Sequence, residues 1–196
     1  MLSAHPKSRQ LGFSLVELLI GIVIMGVLAS LAMPGFRAWM QNIQIRNAAE
    51  SFTNGLQQAR AAAVSRNSNT RFVMCSDTGT AWDILSASAP AVSQTCNDVD
   101  AGTPTGWERV QKRDSSEGSK NVTVTVLPTG ATTITFNNLG SVGVPPNQPL
   151  NADGSAPFTR IDLTASGGDR DLRVTVGVGG NARMCDPNVG SGPSAC

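Results

Sequence analysis

The chain contains no tyrosine and a single histidine, His5, which lies in a short basic leader, residues 1–12. Hydrolytic mechanisms of the Ser-His-Asp and Cys-His types need a histidine beside the nucleophile. Once the leader is removed, no histidine remains to serve as that base. The sequence therefore predicts a protein that is not an enzyme, with no catalytic residues and no cofactor.

Cysteine is also scarce, and no two cysteines form a Cys-x-x-Cys pair. Zinc sites are usually built from such pairs or from cysteine with histidine, so no metal site is expected. Behind an export signal, two disulfides are favoured over four buried free thiols. Three connectivities are possible, and proximity in sequence favours pairing within the first two and within the last two of Cys75, Cys96, Cys185 and Cys196.

The chain also lacks a large excess of either charge, since 15 basic residues balance 14 acidic ones. Bulk attraction to nucleic acid or to an anionic membrane is therefore excluded, and any basic patch has to be local. Asp162, Asp169 and Asp171 lack the Asp-x-Asp-x-Asp-Gly spacing of a calcium loop, which favours solvated turn and strand-edge positions for them.

One long apolar run is present, from Phe13 to Met33, and its only charge is Glu17. As a helix it would extend about 31 Å, close to one bilayer core. A carboxylate at membrane depth costs about 2–3 kcal/mol or more unless it is paired, so Glu17 needs a cationic partner. Lys7 and Arg9 precede the run and no basic residue follows before Arg37, which predicts a cytoplasmic N-terminus and an exported C-terminal part.

An alternative interpretation is a secreted, disulfide-bonded β protein released by signal peptidase I. The small residues around Ser30-Leu31-Ala32 fit a cleavage site for that enzyme. Glu17 is unusual inside the apolar part of a signal peptide, however, and the helical pattern continues past the proposed cut.

After the apolar run, residues 34–67 form an amphipathic stem with apolar residues mostly three or four positions apart. Pro34-Gly35 is expected to break the helix by kinking or locally melting it where the membrane span becomes the stem. The helix is expected to end near Arg66-Asn67.

Residues 68–196 read as a turn-rich β domain, in keeping with 20 glycines and 11 prolines. Alternation and turn residues predict a hairpin around Pro128-Thr129-Gly130 and a second around Ser166-Gly167-Gly168-Asp169. The expected fold is α+β, with a long N-terminal helix packed on antiparallel β-sheets. The predicted strands are Arg71–Ser76, Ala81–Ser86, Trp107–Lys112, Val122–Val126, Thr132–Phe136, Phe158–Thr164 and Asp171–Val178.

The stretch Gly12-Phe13-Ser14-Leu15-Val16-Glu17 resembles the class III signal of type IV pilins and type II secretion pseudopilins. The resemblance implies a type IV pilin-like fold. It also implies that prepilin peptidase cuts between Gly12 and Phe13, and that the new Phe13 amine is methylated. Glu17 would pair with the terminal amine of a neighbouring subunit, and Pro34 would mark a helix break. The expected location is the bacterial inner membrane, with a periplasmic C-terminal domain, and then a pilus or pseudopilus.

Weaker motifs in the stem and β domain resemble the GspH/FimT family of minor pilins and minor pseudopilins. These motifs include Gln58-Ala59-Arg60-Ala61-Ala62-Ala63 and Arg183-Met184-Cys185-Asp186-Pro187. The resemblance implies a structural subunit of a tip or initiation complex whose partners are other pilin or pseudopilin subunits.

Some members of that family act in DNA uptake and share a Gly-Arg-x-Arg motif near the C-terminus. Here the corresponding stretch is Gly180-Asn181-Ala182-Arg183, which lacks the first arginine. Nucleic acid therefore remains an alternative partner, with Arg170, Arg173 and Arg183 as candidate phosphate contacts offset by nearby carboxylates.

Overall fold

The structure is a computed structural model that describes residues 13–87, 96, 107–143, 150–151 and 153–196. It has two compact units, Met1–Arg37 and Ala38–Cys196. The elements in chain order are one helix, α1 (Leu15–Ser65), and eight strands: β1 (Thr70–Met74), β2 (Trp82–Ala87), β3 (Trp107–Arg113), β4 (Val122–Leu127), β5 (Thr133–Phe136), β6 (Arg160–Ala165), β7 (Leu172–Val176) and β8 (Ala182–Cys185).

The C-terminal end of α1 is closed by a left-handed residue. Asn67 has a φ of 48°, the Ser68 N–H donates to the Ala63 carbonyl at 3.1 Å, and the Asn67 N–H donates to Val64 at 3.3 Å. These two bonds form a Schellman motif, which asparagine tolerates better than most residues. The helix therefore ends at Ser65, next to the expected boundary.

Pro34 does not melt the helix, because α1 is one continuous helix from Leu15 to Ser65. A proline removes a single backbone donor, and the residues on both sides can keep their own i to i−4 bonds. The expectation of local melting at Pro34-Gly35 is therefore wrong for this structure, while a bend at that point stays a prediction.

The strands form two antiparallel sheets of four within the described part of the chain. The first has the order β3-β2-β1-β5 and the second has the order β4-β6-β7-β8. The predicted hairpin around Ser166–Asp169 is confirmed, since β6 pairs with β7 and Leu163 lies opposite Leu172. The predicted α+β architecture of a long helix with antiparallel sheets is confirmed as well.

The predicted hairpin around Pro128-Thr129-Gly130 is wrong. The turn forms, with the Ala131 N–H donating to Pro128 at 3.0 Å, but its flanking strands belong to different sheets. Val124 of β4 lies opposite Leu163 of β6, whereas Ile134 of β5 lies opposite Phe72 of β1. Local turn chemistry fixed the reversal of the chain, and packing of the apolar faces decided which strands pair.

The core lies between the stem and the two sheets. Phe52 and Leu56 of α1 are fully buried with Phe72 of β1, Ile134 of β5 and Ile161 of β6. The Phe72 ring centroid lies 5.2 Å from that of Trp82 and 6.0 Å from that of Phe158. This aromatic group joins the first sheet to the stem and to the start of the second sheet.

A smaller buried layer covers the other face of the first sheet, where Val73, Leu85 and Cys96 are buried together. Arg71 is buried in β1, and its guanidinium carbon lies 4.6 Å from the centroid of the Trp107 ring. Burial lowers the pKa of Arg71, and the charge of Asp153 opposes that shift. This buried layer therefore contains a charged group, the Arg71 guanidinium, which is stabilised by the face of the Trp107 ring.

Candidate functional site

The start of α1 carries the assembly motif, and Ser14 determines where the helix begins. The Ser14 hydroxyl accepts a hydrogen bond from the Val16 N–H at 3.3 Å, and its carbonyl accepts one from the Leu18 N–H at 3.1 Å. Ser14 is therefore the N-cap, and it satisfies backbone donors that have no partner inside the helix. Phe13 lies just outside the helix and is largely exposed.

Glu17 stands in the first turn of α1, three residues after the cap. A carboxylate there lies near the positive end of the helix dipole. The spacing from Ser14 to Glu17 is that of a capping box, which is a sequence signal by which Ser14 could have been predicted as the N-cap. Within the described residues, no hydrogen bond or ion pair to the Glu17 side chain is present, and Glu17 is exposed.

The helix that carries Glu17 is apolar and uncovered up to Met33. Leu15 is 80% exposed and Leu31 is 74% exposed, although both are large apolar side chains. By length and composition, α1 contains a segment that could cross a membrane, and none of that segment is buried. Such a surface requires lipid or other apolar helices around it. Gly12 and the rest of the leader lie outside the described residues.

The four cysteines form two disulfides in the β domain. Cys75 joins Cys96 with a Cα–Cα distance of 5.2 Å, and Cys185 joins Cys196 with a distance of 5.1 Å. This connectivity is the one that proximity in sequence favoured. The carboxylate of Asp83 lies near the first pair. Cysteine binds metals as a thiolate, and a sulfur in a disulfide has no thiolate to offer.

The three candidate DNA-contacting arginines each bind inside the chain. Arg170 contacts Asp186, with Nε 3.2 Å from Oδ2, and Arg173 contacts Asp162 through Nε. Arg183 donates to two backbone carbonyls of the C-terminal tail, at 3.2 and 3.0 Å. Arg173 and Arg183 lie on the neighbouring strands β7 and β8. The two ion pairs offset part of the charge of Arg170 and Arg173, and a contact of this group with nucleic acid stays a prediction.

The candidate acidic residues Asp162 and Asp169 each contact a different set of side chains. Asp162 forms ion pairs with both Arg160 and Arg173. Asp169 contacts the side chain of Asn42 on the stem, and its N–H donates to the Asn42 side-chain oxygen at 3.2 Å. Asp162 and Asp169 therefore work as structural clamps, one across the second sheet and one between that sheet and the stem.

Comparison with solved structures finds similarity to two proteins, of which FimU shares the fold. FimU, a type IV minor pilin of Pseudomonas aeruginosa, is 16% identical with a TM-score of 0.51, covering 76% of this chain and 97% of its own. EpsH, a minor pseudopilin of the type 2 secretion system of Vibrio cholerae, is 17% identical with a TM-score of 0.48, covering 74% of this chain and 99% of its own. No curated protein matches the chain by sequence.

Two family profiles match the chain directly. Residues 7–33 match the prokaryotic N-terminal methylation motif, which coincides with the start of α1. Residues 48–180 match the profile of the type II transport protein GspH, and this match spans most of the stem and β domain. The chain therefore belongs to the GspH family and is a non-enzymatic minor pilin or pseudopilin with a prepilin methylation motif.

Proposed function

We propose that the chain is made as an inner-membrane precursor and becomes a subunit of a tip or initiation complex in a type IV pilus or a type II secretion pseudopilus. Prepilin peptidase would cut after Gly12, and the freed amine of Phe13 would be methylated. The methylation-motif match at residues 7–33 supports this proposal. So does Ser14, which caps a helix that begins at Leu15 and so leaves Phe13 outside the helix.

The orientation in the membrane follows from the distribution of basic residues. Lys7 and Arg9 precede the apolar segment, and Arg37 is the first basic residue after it. Basic residues beside a membrane span are retained on the cytoplasmic side. The leader would therefore face the cytoplasm, where its removal takes place at the membrane, and the β domain would lie in the periplasm.

The observation that carries the proposal is Glu17, a carboxylate without a partner among the described residues, set in an exposed apolar helix. Removal of the leader would create a positive amine about one helical turn away on each subunit. In an apolar bundle an unpaired charge is costly, and the pairing of opposite charges between subunits offsets that cost. Glu17 would then select a neighbour whose amine lies at the matching height, and the repeated contact would give an open helical assembly.

The substitution Glu17→Ala tests this pairing. We expect cleavage after Gly12 to continue while incorporation into the filament falls at least about tenfold, because one lost charge pair in an apolar setting exceeds 1.4 kcal/mol. The measurement is immunoblotting of the sheared filament fraction against the membrane fraction.

The control for that experiment is Glu108→Ala. Glu108 lies on β3 and forms an exposed ion pair with Arg66, which contributes little. Glu108→Ala should assemble normally. Wild-type incorporation of Glu17→Ala would rule out the proposed pairing.

A further inference from the structure

A groove lies between the stem and the corner of the second sheet. Its apolar walls are Trp39 and Ile43 from α1, Leu172 from β7 and Met184 from β8, and its volume is about 310 Å³. That volume suits one or two large side chains. We call it the stem–sheet groove, and all of its residues belong to the unit Ala38–Cys196.

The groove exists because the buried core does not extend to the corner of the second sheet. Val174 in the middle of β7 is fully buried, whereas Leu172 and Met184 at the corner are only partly buried against the core. On α1 the first fully buried apolar residue is Ile45, while Trp39 remains 57% exposed. The groove is thus a part of the apolar face that the described residues leave uncovered, which is typical of a surface that meets a partner.

Two arginines flank this apolar surface, and each has donors to spare. Arg46 contacts Glu50 through Nε, and Arg170 contacts Asp186 through Nε. In the described part of the chain, the terminal guanidinium nitrogens of both residues make no hydrogen bond. Their side chains are 69% and 63% exposed. Terminal guanidinium nitrogens fit a carboxylate with good geometry.

We propose that the stem–sheet groove docks a neighbouring pilin-type subunit that presents a carboxylate beside a large apolar side chain. The apolar side chain would complete the corner of the core, and the carboxylate would accept from Arg46 or Arg170. The proposal rests on the proposed function. Head-to-tail contacts in an open helical assembly join different surfaces of each subunit, and the groove would supply one such surface in the β domain.

The experiment uses the full-length chain in a bacterium that assembles the filament. A photo-crosslinking amino acid replaces Trp39 in the groove, or Val64 in the control. Val64 is 51% exposed, close to Trp39 in exposure, and lies near the other end of the stem. Mass spectrometry of the cross-linked peptides identifies the partner. We expect the groove position to cross-link to another pilin-type subunit, within a peptide that holds an Asp or Glu beside a large apolar residue.

A second variant tests the part played by charge. Arg46→Gln should lower the yield from the Trp39 position about tenfold, and Arg46→Lys should recover part of it, because a charged contact is lost and then partly restored. Arg66→Gln is the matched control, since Arg66 also forms an exposed ion pair, with Glu108, and lies outside the groove. It should leave the yield unchanged. Circular dichroism of each variant checks the fold.

Several outcomes would overturn the inference. Cross-links to lipid alone, to no pilin-type subunit, or at the level of the Val64 control would each do so, and so would a yield that does not respond to Arg46→Gln. Incorporation is scored separately in the filament fraction. A chain that is incorporated without a groove cross-link contradicts the groove alone, whereas a chain that is never incorporated contradicts the proposed function and the groove with it.

Discussion

At the scale of single residues, Ser14 separates the start of the helix from the proposed cleavage point, which are neighbours in the sequence. Its hydroxyl begins the helix, so Phe13 stays outside the helical hydrogen bonding and Glu17 falls in the first turn. A helix that began one residue earlier would draw the new terminus into its first turn. The cap thus sets the spacing between the Phe13 nitrogen, which is the proposed terminal amine, and the first turn that carries Glu17.

The substitution Ser14→Ala should loosen this start. An N-cap serine contributes about 1 kcal/mol, so we expect faster amide exchange at Val16 and Leu18 by roughly fivefold. Hydrogen exchange of the mature protein in lipid nanodiscs measures this effect. Ser14→Thr keeps a capping hydroxyl and serves as the control. Equal exchange in Ser14→Ala and the wild type would show that Ser14 does not cap the helix.

Asp153 is a second single residue with a predicted effect, because its contribution to the stability of the fold depends on pH. Burial raises the pKa of Asp153, but hydrogen bonds from Ser155 and the charge of Arg71 outweigh it, and the net pKa lies below the ordinary value of 3.8. A depressed carboxyl pKa stabilises the fold above the unfolded-state pKa, and that stabilisation is lost as the pH falls through the folded-state value.

The measurement for Asp153 compares urea unfolding of the wild type and of Asp153→Asn. We expect the stability difference to be constant from pH 7 to about pH 5 and to shrink below about pH 4, because both side chains are then neutral. A difference that persists unchanged down to pH 2.5 would contradict the lowered pKa of Asp153. The carboxylate is exposed, so solvent screening keeps the effect small.

At the scale of elements, the stem packs on the sheets through a position where only glycine fits. A Cβ placed on Gly55 would lie 2.8 Å from the Phe72 ring and 2.9 Å from the Trp82 ring. Both rings are held by the core and cannot move aside freely, so the sheet approaches the helix closely at this point. The close approach lets Trp82 donate to the Ser51 hydroxyl at 3.0 Å.

The substitution Gly55→Val should therefore destabilise the β domain by about 1–3 kcal/mol through overpacking, despite the higher helix propensity of most residues over glycine. The midpoint of urea unfolding measures it. Asn54→Ala, at the adjacent exposed position of the same helix, should change stability by less than about 0.5 kcal/mol. An unchanged midpoint for Gly55→Val would mean that the stem does not approach the sheet so closely.

Elements were easier to predict from the sequence than their partners. The span, the stem and most strands follow from apolar periodicity, which depends on neighbours in the chain. The partner of β4 does not, because Val124 meets Leu163 across a long stretch of sequence and the turn at Pro128 points to a different strand. β8 was missed because it is only four residues long and its pattern does not alternate clearly.

The candidate functional residues also differ in how far the sequence alone could predict them. Phe13 and Glu17 lie within one short motif, so the residues could be named from the sequence and the structure added the cap at Ser14. The stem–sheet groove joins Trp39 to Met184, which are far apart in the chain and brought together only by folding. Arg71 is similar, since a buried cation under Trp107 has no signature in the local sequence.

At the scale of the whole molecule, the chain combines an uncovered apolar segment with a disulfide-bonded β domain. The first needs lipid or neighbouring helices, and the second suits an oxidising compartment. One proposed processing event would link the two, because loss of the leader would give the membrane helix the amine that Glu17 is proposed to bind in a neighbour.

The most direct test is mass spectrometry of the N-terminal peptide of the mature protein, isolated from the filament fraction. We expect a chain that begins at Phe13 and carries one methyl group on its terminal amine. A chain that begins at Met33, as signal peptidase I would produce, or one that still carries Met1 and the leader, would contradict it.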